Sequence, residues 1–168
     1  TFAKSMASIG AFIAGERNIV DYIRYNIRSQ IFAKSLPMAL VIGNLKRLEL
    51  LRTRPELKEK LWENAKKLQI GLKSRGFDIG KTDSPVTPIY MTGGVEEATA
   101  MVMDLRENYH IFCSIVVYPV IPKGHIIYRL IRTASHTDTD IEETLQAFYE
   151  TKKRLDGGKY KTSAIAHM

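Results

Sequence analysis

The chain has 168 residues and a net charge of +7, from 25 Lys and Arg against 18 Asp and Glu. With 45% hydrophobic and 26% charged residues it has the make-up of one folded domain, or of a domain and a fragment, which excludes wholesale disorder. No apolar run approaches the ~18 residues of a membrane span, and a single cysteine, Cys113, excludes a disulfide framework and a cysteine-based zinc site.

Cys113 lies in the apolar run 111–117 and reads as a buried, inert thiol. The basic balance attracts anions. Lys and Arg are spread along most of the chain, with no interleaved aromatics of the kind an RNA-binding sheet shows, so anionic small molecules are favoured over nucleic acid. The start lacks the basic stretch and apolar core of a cleavable leader. It begins with Thr1, and it reads as a piece of something longer.

In chain order, residues 19–29 read as a short helix and 30–37 as a connector. Pro37 then fits the first turn of a second helix, where a missing N–H costs nothing. Leu40, Val41, Leu45, Leu48 and Leu51 form the apolar stripe of that helix. Pro55 opens a third helix with Leu57, Leu61, Trp62, Ala65, Leu68 and Leu72 on one face and a Lys-rich solvated face opposite, ending at Gly76. A strand is expected at 87–91, a Gly93-Gly94 turn, a helix over 96–108 and a strand over 111–118. A rigid proline loop at 119–124 leads to a third strand over 125–132. Caps at 135–138, with Glu142 and Glu143 in the first turn, open a last helix running to about Arg154. The tail 156–168 is polar and reads as loose or docked on another surface. Three strands with helices on one side make an α+β domain.

Three places suit chemistry. At 1–5 stands Thr-Phe-Ala-Lys-Ser. Lysine is the side chain that makes Schiff bases with carbonyl compounds. The hydroxyls of Thr1, Ser5 and Ser8 around Lys4 suit a phosphate, and Gly10 permits close backbone approach. Next, Arg129 and Arg132 fall three apart on a strand and so point to opposite faces. One faces inward and the other outward, and an arginine facing a cleft grips a carboxylate in bidentate fashion. His136 just beyond suits capping or packing better than catalysis. Third, a polar notch at 31–37 precedes a helix N-terminus, which favours anions. His110, His125 and His167 have no metal-site spacing.

Five strings occur in one order: Thr-Phe-Ala-Lys-Ser at 1–5, Ile-Phe-Ala-Lys-Ser-Leu-Pro at 31–37, Leu-Trp-Glu-Asn-Ala at 61–65, Tyr-Pro-Val-Ile-Pro-Lys-Gly at 118–124 and Arg-Leu-Ile-Arg-Thr-Ala-Ser-His-Thr at 129–137. Over residues 1 to about 154 the chain resembles the C-terminal part of the α-oxoamine synthases, fold-type I pyridoxal-phosphate enzymes that condense an amino acid with an acyl-CoA. The resemblance implies the C-terminal small domain of such an enzyme, a three-stranded, mainly antiparallel sheet with helices packed on one side, preceded by linking helices. It implies the end of a cofactor-binding large domain with its linking helices at 1–52, the small domain at 53–155 and a tail at 156–168.

By the same resemblance, Lys4 is the catalytic lysine that carries pyridoxal 5'-phosphate, Thr1 bonds the cofactor phosphate and Arg129 holds the substrate carboxylate. The segment 32–35, with Ala33 and Lys34, reaches the cofactor of a neighbouring subunit, which implies a homodimer with shared active sites. The family usually has a small hydroxyl residue at the position of Ala33. An acidic partner for the cofactor ring and a stacking histidine belong to a large domain ahead of the lysine, so these residues alone should hold the cofactor poorly. The implied location is cytoplasmic, with no nucleic acid and no membrane span.

Among family members, the 1–5 and 61–65 strings look like serine palmitoyltransferase, with serine, glycine or alanine as the amino acid. The proline loop looks more like 2-amino-3-ketobutyrate CoA ligase. The basic residue that often precedes this loop in 8-amino-7-oxononanoate synthase is replaced by Val117. The competing class is a dimerisation or scaffold module without activity of its own.

Overall fold

A computed structural model of the chain describes residues 1–161. The order is α1 (Arg17–Asn26), α2 (Arg28–Ile31), α3 (Met38–Thr53), α4 (Pro55–Ser74), β1 (Val86–Thr92), α5 (Val95–Tyr109), β2 (Ser114–Val116), β3 (His125–Ile131) and α6 (Asp138–Asp156). It divides into two compact units, residues 1–55 and 56–168.

The second unit holds the core. Its sheet runs β1-β3-β2, antiparallel throughout, with β3 in the middle. Alternation along β3 buries Ile126, Tyr128 and Leu130 and leaves His125, Arg129 and Ile131 exposed. The covered face meets Leu68 and Leu72 of α4, Met101 and Leu105 of α5, and Leu145 and Phe148 of α6. Tyr128 and Phe77 both meet the Phe148 ring edge-on, at 6.0 and 6.3 Å between centroids. At Gly71 a Cβ would lie 2.4 Å from Leu145 Cδ1, so α4 and α6 meet where only glycine leaves room. The α+β class and the helices on one side of an antiparallel sheet are as the sequence implies.

The helix ends follow local chemistry. α4 stops where Phe77 N–H turns back to Leu72 O at 3.1 Å. α5 starts with Gly94 N–H donating to Glu97 Oε2 at 2.8 Å. Thr137 caps α6, and Asp140 Oδ2 accepts the Thr137 N–H at 2.7 Å in return. The acids of its first turn are thus Asp138 and Asp140, one turn earlier than the expected Glu142 and Glu143. Beyond α6 the chain stays tied down as far as it is described. Tyr160 is buried and its hydroxyl donates to Asp104 Oδ2 at 2.5 Å, a carboxylate that also takes Arg154 Nη1 at 2.7 Å. Of the tail expected to be loose or docked on another surface, residues 162–168 lie outside the described residues.

Three expectations need correction. The strand foreseen over 111–118 shrinks to three residues, because only Ser114–Val116 finds partners on β3 and Phe112 points outward, 84% exposed. The helix foreseen over 19–29 breaks at Ile27, which is extended and caps the four-residue α2. The Leu45, Leu48 and Leu51 stripe of α3 is exposed, and Asn44 is the one buried residue among 1–55. The first unit therefore has no apolar core of its own among its residues.

Candidate functional site

In the first unit, residues 1–10 form a closed loop. Phe2 N–H donates to Gly10 O at 2.8 Å, Ser8 N–H to Phe2 O at 3.0 Å and Ala7 N–H to Lys4 O at 2.9 Å. Gly10 has φ +111°, and a Cβ there would come within 2.8 Å of the Leu36 side chain and 3.1 Å of the Phe2 ring, so a side chain at this position would be strained and crowded. Lys4 is exposed on this loop, and its ammonium makes no hydrogen bond or ion pair among the described residues. The Thr1 hydroxyl accepts the Ala3 N–H at 3.2 Å and donates to Gly10 O at 3.5 Å. Ser8 Oγ is closed off from solvent with no hydrogen-bond partner. An unpaired amine beside hydroxyl side chains on one loop is the kind of donor set that could hold an aldehyde bearing a phosphate.

Ala33 and Lys34 line a hollow of about 580 Å³ within the same unit, together with Gly10, Phe12 and Arg24. The loop carrying Lys4 and the notch at 31–37 thus meet in this unit at Gly10. The positive charge gathers here as well. Residues 1–55 carry nine Lys and Arg against three Asp and Glu, whereas 56–168 carry sixteen against fifteen. The basic residues are spread along the chain, but the acids that offset them are not.

Arg129 belongs to the second unit, on the open face of the sheet. Its register partner on β2 is Ser114, and Arg129 Nε donates to Ser114 Oγ at 3.1 Å. That bond orients the guanidinium and leaves its Nη pair for a bidentate grip on a carboxylate. Arg132 turns the other way and is 7% exposed, as the three-residue spacing requires.

The sequence reading missed two supporting residues. Ser114 carries no signal except its register opposite Arg129. Asn64 sits in the 61–65 string, fully buried, and its Nδ2 donates to Thr133 O at 3.1 Å and His136 O at 2.8 Å. It fastens the turn that follows the two arginines to α4. His136 completes that turn, its Nδ1 accepting the Thr133 N–H at 3.0 Å, which is a packing role. Cys113 is buried, and burial pushes its thiol up to about 11, as expected of an inert cysteine. No cluster of metal ligands occurs among the described residues, and no helix there is long and apolar enough to cross a membrane.

Residues 1–148 match the family model of aminotransferase class I and II. The chain is 60% identical to a cysteate-C-fatty acyltransferase of Capnocytophaga ochracea, over 96% of its own length and 38% of that protein's. It is 35% identical to a serine palmitoyltransferase of Sphingobacterium spiritivorum, over 93% of its length and 39% of the relative's. An 8-amino-7-oxononanoate synthase of Thermoanaerobacter pseudethanolicus follows at 34%, with the same coverage. Among solved structures, a serine palmitoyltransferase holding PLP as an internal aldimine superposes with a TM-score of 0.83 at 28% identity, over 93% of this chain and 39% of that one. The chain thus spans about two fifths of the length of the relatives it matches. With the family model matched over residues 1–148 and relatives at 60% and 35% identity along almost the whole chain, the chain belongs to the aminotransferase class I and II family, in the α-oxoamine synthase group.

Proposed function

We propose that the full protein carrying this chain joins a fatty acyl group from an acyl-CoA to the α-carbon of an amino acid, releasing CoA and carbon dioxide. The C–S bond of the thioester breaks as a C–C bond forms to the α-carbon in place of its proton, and the bond from that carbon to its carboxylate then breaks to give carbon dioxide, a proton taking its place. The geometry of Arg129 carries this reading: an arginine on an open sheet face, oriented through Nε by Ser114, with both Nη groups free for an α-carboxylate. The expected amino acids are serine, glycine or alanine. The 60% identity to a cysteate-C-fatty acyltransferase moves the preferred substrate to cysteate, and a serine palmitoyltransferase-like activity is the second reading, supported at 35% identity.

Pyridoxal phosphate, when bound, supplies an electron sink for charge developing at the substrate α-carbon. Lys4 Nζ takes the proton from that carbon and returns it. Thr1 donates its hydroxyl to the phosphate, in exchange for its present bond to Gly10 O. Lys34, beside Ala33, neutralises phosphate charge, in our reading across a homodimer interface. The exposed apolar side chains of residues 1–55, among them Phe12, Tyr25, Phe32 and Leu51, support an assembly that covers them. The excess of positive charge in the same residues suits the phosphates of CoA and of the cofactor. Such a reaction would run in the cytoplasm, where acyl-CoA is met.

The test is thiol release from palmitoyl-CoA by the full protein, with cysteate, serine, glycine and alanine compared by kcat/KM. Cysteate should lead. Arg129→Lys should raise the amino-acid KM about tenfold or more through loss of the fork, and Lys4→Ala should abolish turnover. A lead for serine selects the second reading. Absence of thiol release with every amino acid, or a Lys4→Ala protein that still turns over, refutes the acyltransferase and favours a scaffold.

A further inference from the structure

On the covered side of the sheet, away from the face that carries Arg129, β3 ends at a hollow of about 450 Å³ in the second unit. Its walls come from the end of α5, the end of β3 and the first turns of α6. Arg132 lines it, 7% exposed, and its Nε and Nη2 have no hydrogen-bond partner. A buried guanidinium without an acceptor is costly, and native structures almost always give it one.

Asp140, which also lines the hollow, does not fill that role. Asp140 spends Oδ2 on the Thr137 N–H at 2.7 Å and on the Thr137 hydroxyl at 2.8 Å, capping α6. Its charge acts on Arg132, but no hydrogen bond joins them. His136 also lines the hollow. With Nδ1 accepting from the Thr133 backbone, the ring hydrogen lies on Nε2, which makes it a second donor. Ile111, Phe112 and Leu130 give the hollow an apolar side. Glu143 at the rim, with Asp140, disfavours a dianion, so one negative charge on a hydrocarbon body matches the walls.

We propose that this hollow is a binding site for a small monocarboxylate with an apolar tail, held by the Arg132 guanidinium and separate from the Arg129 face. The carboxylate supplies the acceptor that Arg132 lacks, and the tail lies along Ile111 and Phe112. The site stands on the second unit's own residues and does not depend on the proposed acyl transfer.

The test is isothermal titration of the full protein with hexanoate, with inorganic phosphate as the comparison. Hexanoate should bind saturably and phosphate should not. Arg132→Met should weaken hexanoate at least about tenfold, the effect of losing a charge-assisted hydrogen bond. Phe112→Asp keeps the test open if the arginine variant fails to fold, since this side chain is 84% exposed. It too should weaken binding, by placing a carboxylate at the mouth. Arg129→Met should leave hexanoate affinity unchanged. The proposal is overturned if hexanoate does not saturate, if its affinity follows Arg129 instead, if Phe112→Asp leaves it unaltered, or if phosphate is preferred.

Discussion

Replacing Asn64 should loosen the turn that follows the two arginines, and the size of the effect can be worked from its contacts. Asn64 is fully buried and donates to two backbone oxygens, Thr133 O at 3.1 Å and His136 O at 2.8 Å. Asn64→Ala removes two hydrogen bonds worth about 1 kcal/mol each and strands two acceptors, for a total of about 3 kcal/mol. With an m-value of about 1.5 kcal/mol/M for a domain of this size, the urea midpoint should fall by about 2 M. Trp62, the chain's one tryptophan, lies two residues away on α4 and reports the transition by fluorescence. Asn64→Asp sharpens the test, because it keeps the shape and turns the donor into an acceptor facing two carbonyls. Burial and those carbonyls raise the introduced carboxyl's folded pKa above its unfolded value, so the penalty is full at neutral pH and shrinks as pH falls toward about 4. Asn64→Ala within about 0.5 kcal/mol of the parent, together with an Asn64→Asp variant that gains nothing on acidification, would refute the role given to this residue.

Two further outcomes follow from the second unit. Burial pushes the Asp104 carboxyl up, but hydrogen bonds from Tyr160, Arg154 and Asn108 outweigh it and hold the group below the usual carboxylate range. A depressed folded pKa gives stability that is present at neutral pH and lost as pH falls through that value, so Asp104→Asn should cost about 2 kcal/mol at pH 7 and flatten the acid side of the stability profile; urea titrations at pH 7 and pH 3 measure both. With its thiol pushed up to about 11, Cys113 should be roughly one part in a thousand thiolate at pH 8 and react with a disulfide reagent only once urea unfolds the chain; prompt native labelling would contradict its burial.

Much of the second unit was legible in the sequence because its signals are local. The helix stripe ending in Ala65, Leu68 and Leu72 is buried, and the opposite faces of Arg129 and Arg132 follow from strand geometry. What escaped is set by distant partners. Asn64 looks like any polar residue in a helix, since the backbone groups it holds are 69 and 72 residues away. The β-branched run around Ile115 promised a long strand, but strand length depends on which residues pair, and only Ser114–Val116 line up with β3, although β3 pairs seven residues with β1. The α3 stripe carries the helical period without a core to face within its unit, so periodicity gave the helix and not its burial. The candidate site was found chiefly through the order of its strings.

β3 deals its residues alternately to two tasks: the even-numbered ones from Ile126 fill the interior, and Arg129 stands over open ground. A slip of a single position against β1 and β2 would exchange these assignments, driving the gripping guanidinium into hydrocarbon and setting Tyr128 in water. Insertions and deletions in this stretch are therefore confined to the proline loop ahead of it and the turn behind, and any redesign of substrate choice must work by swapping side chains in place.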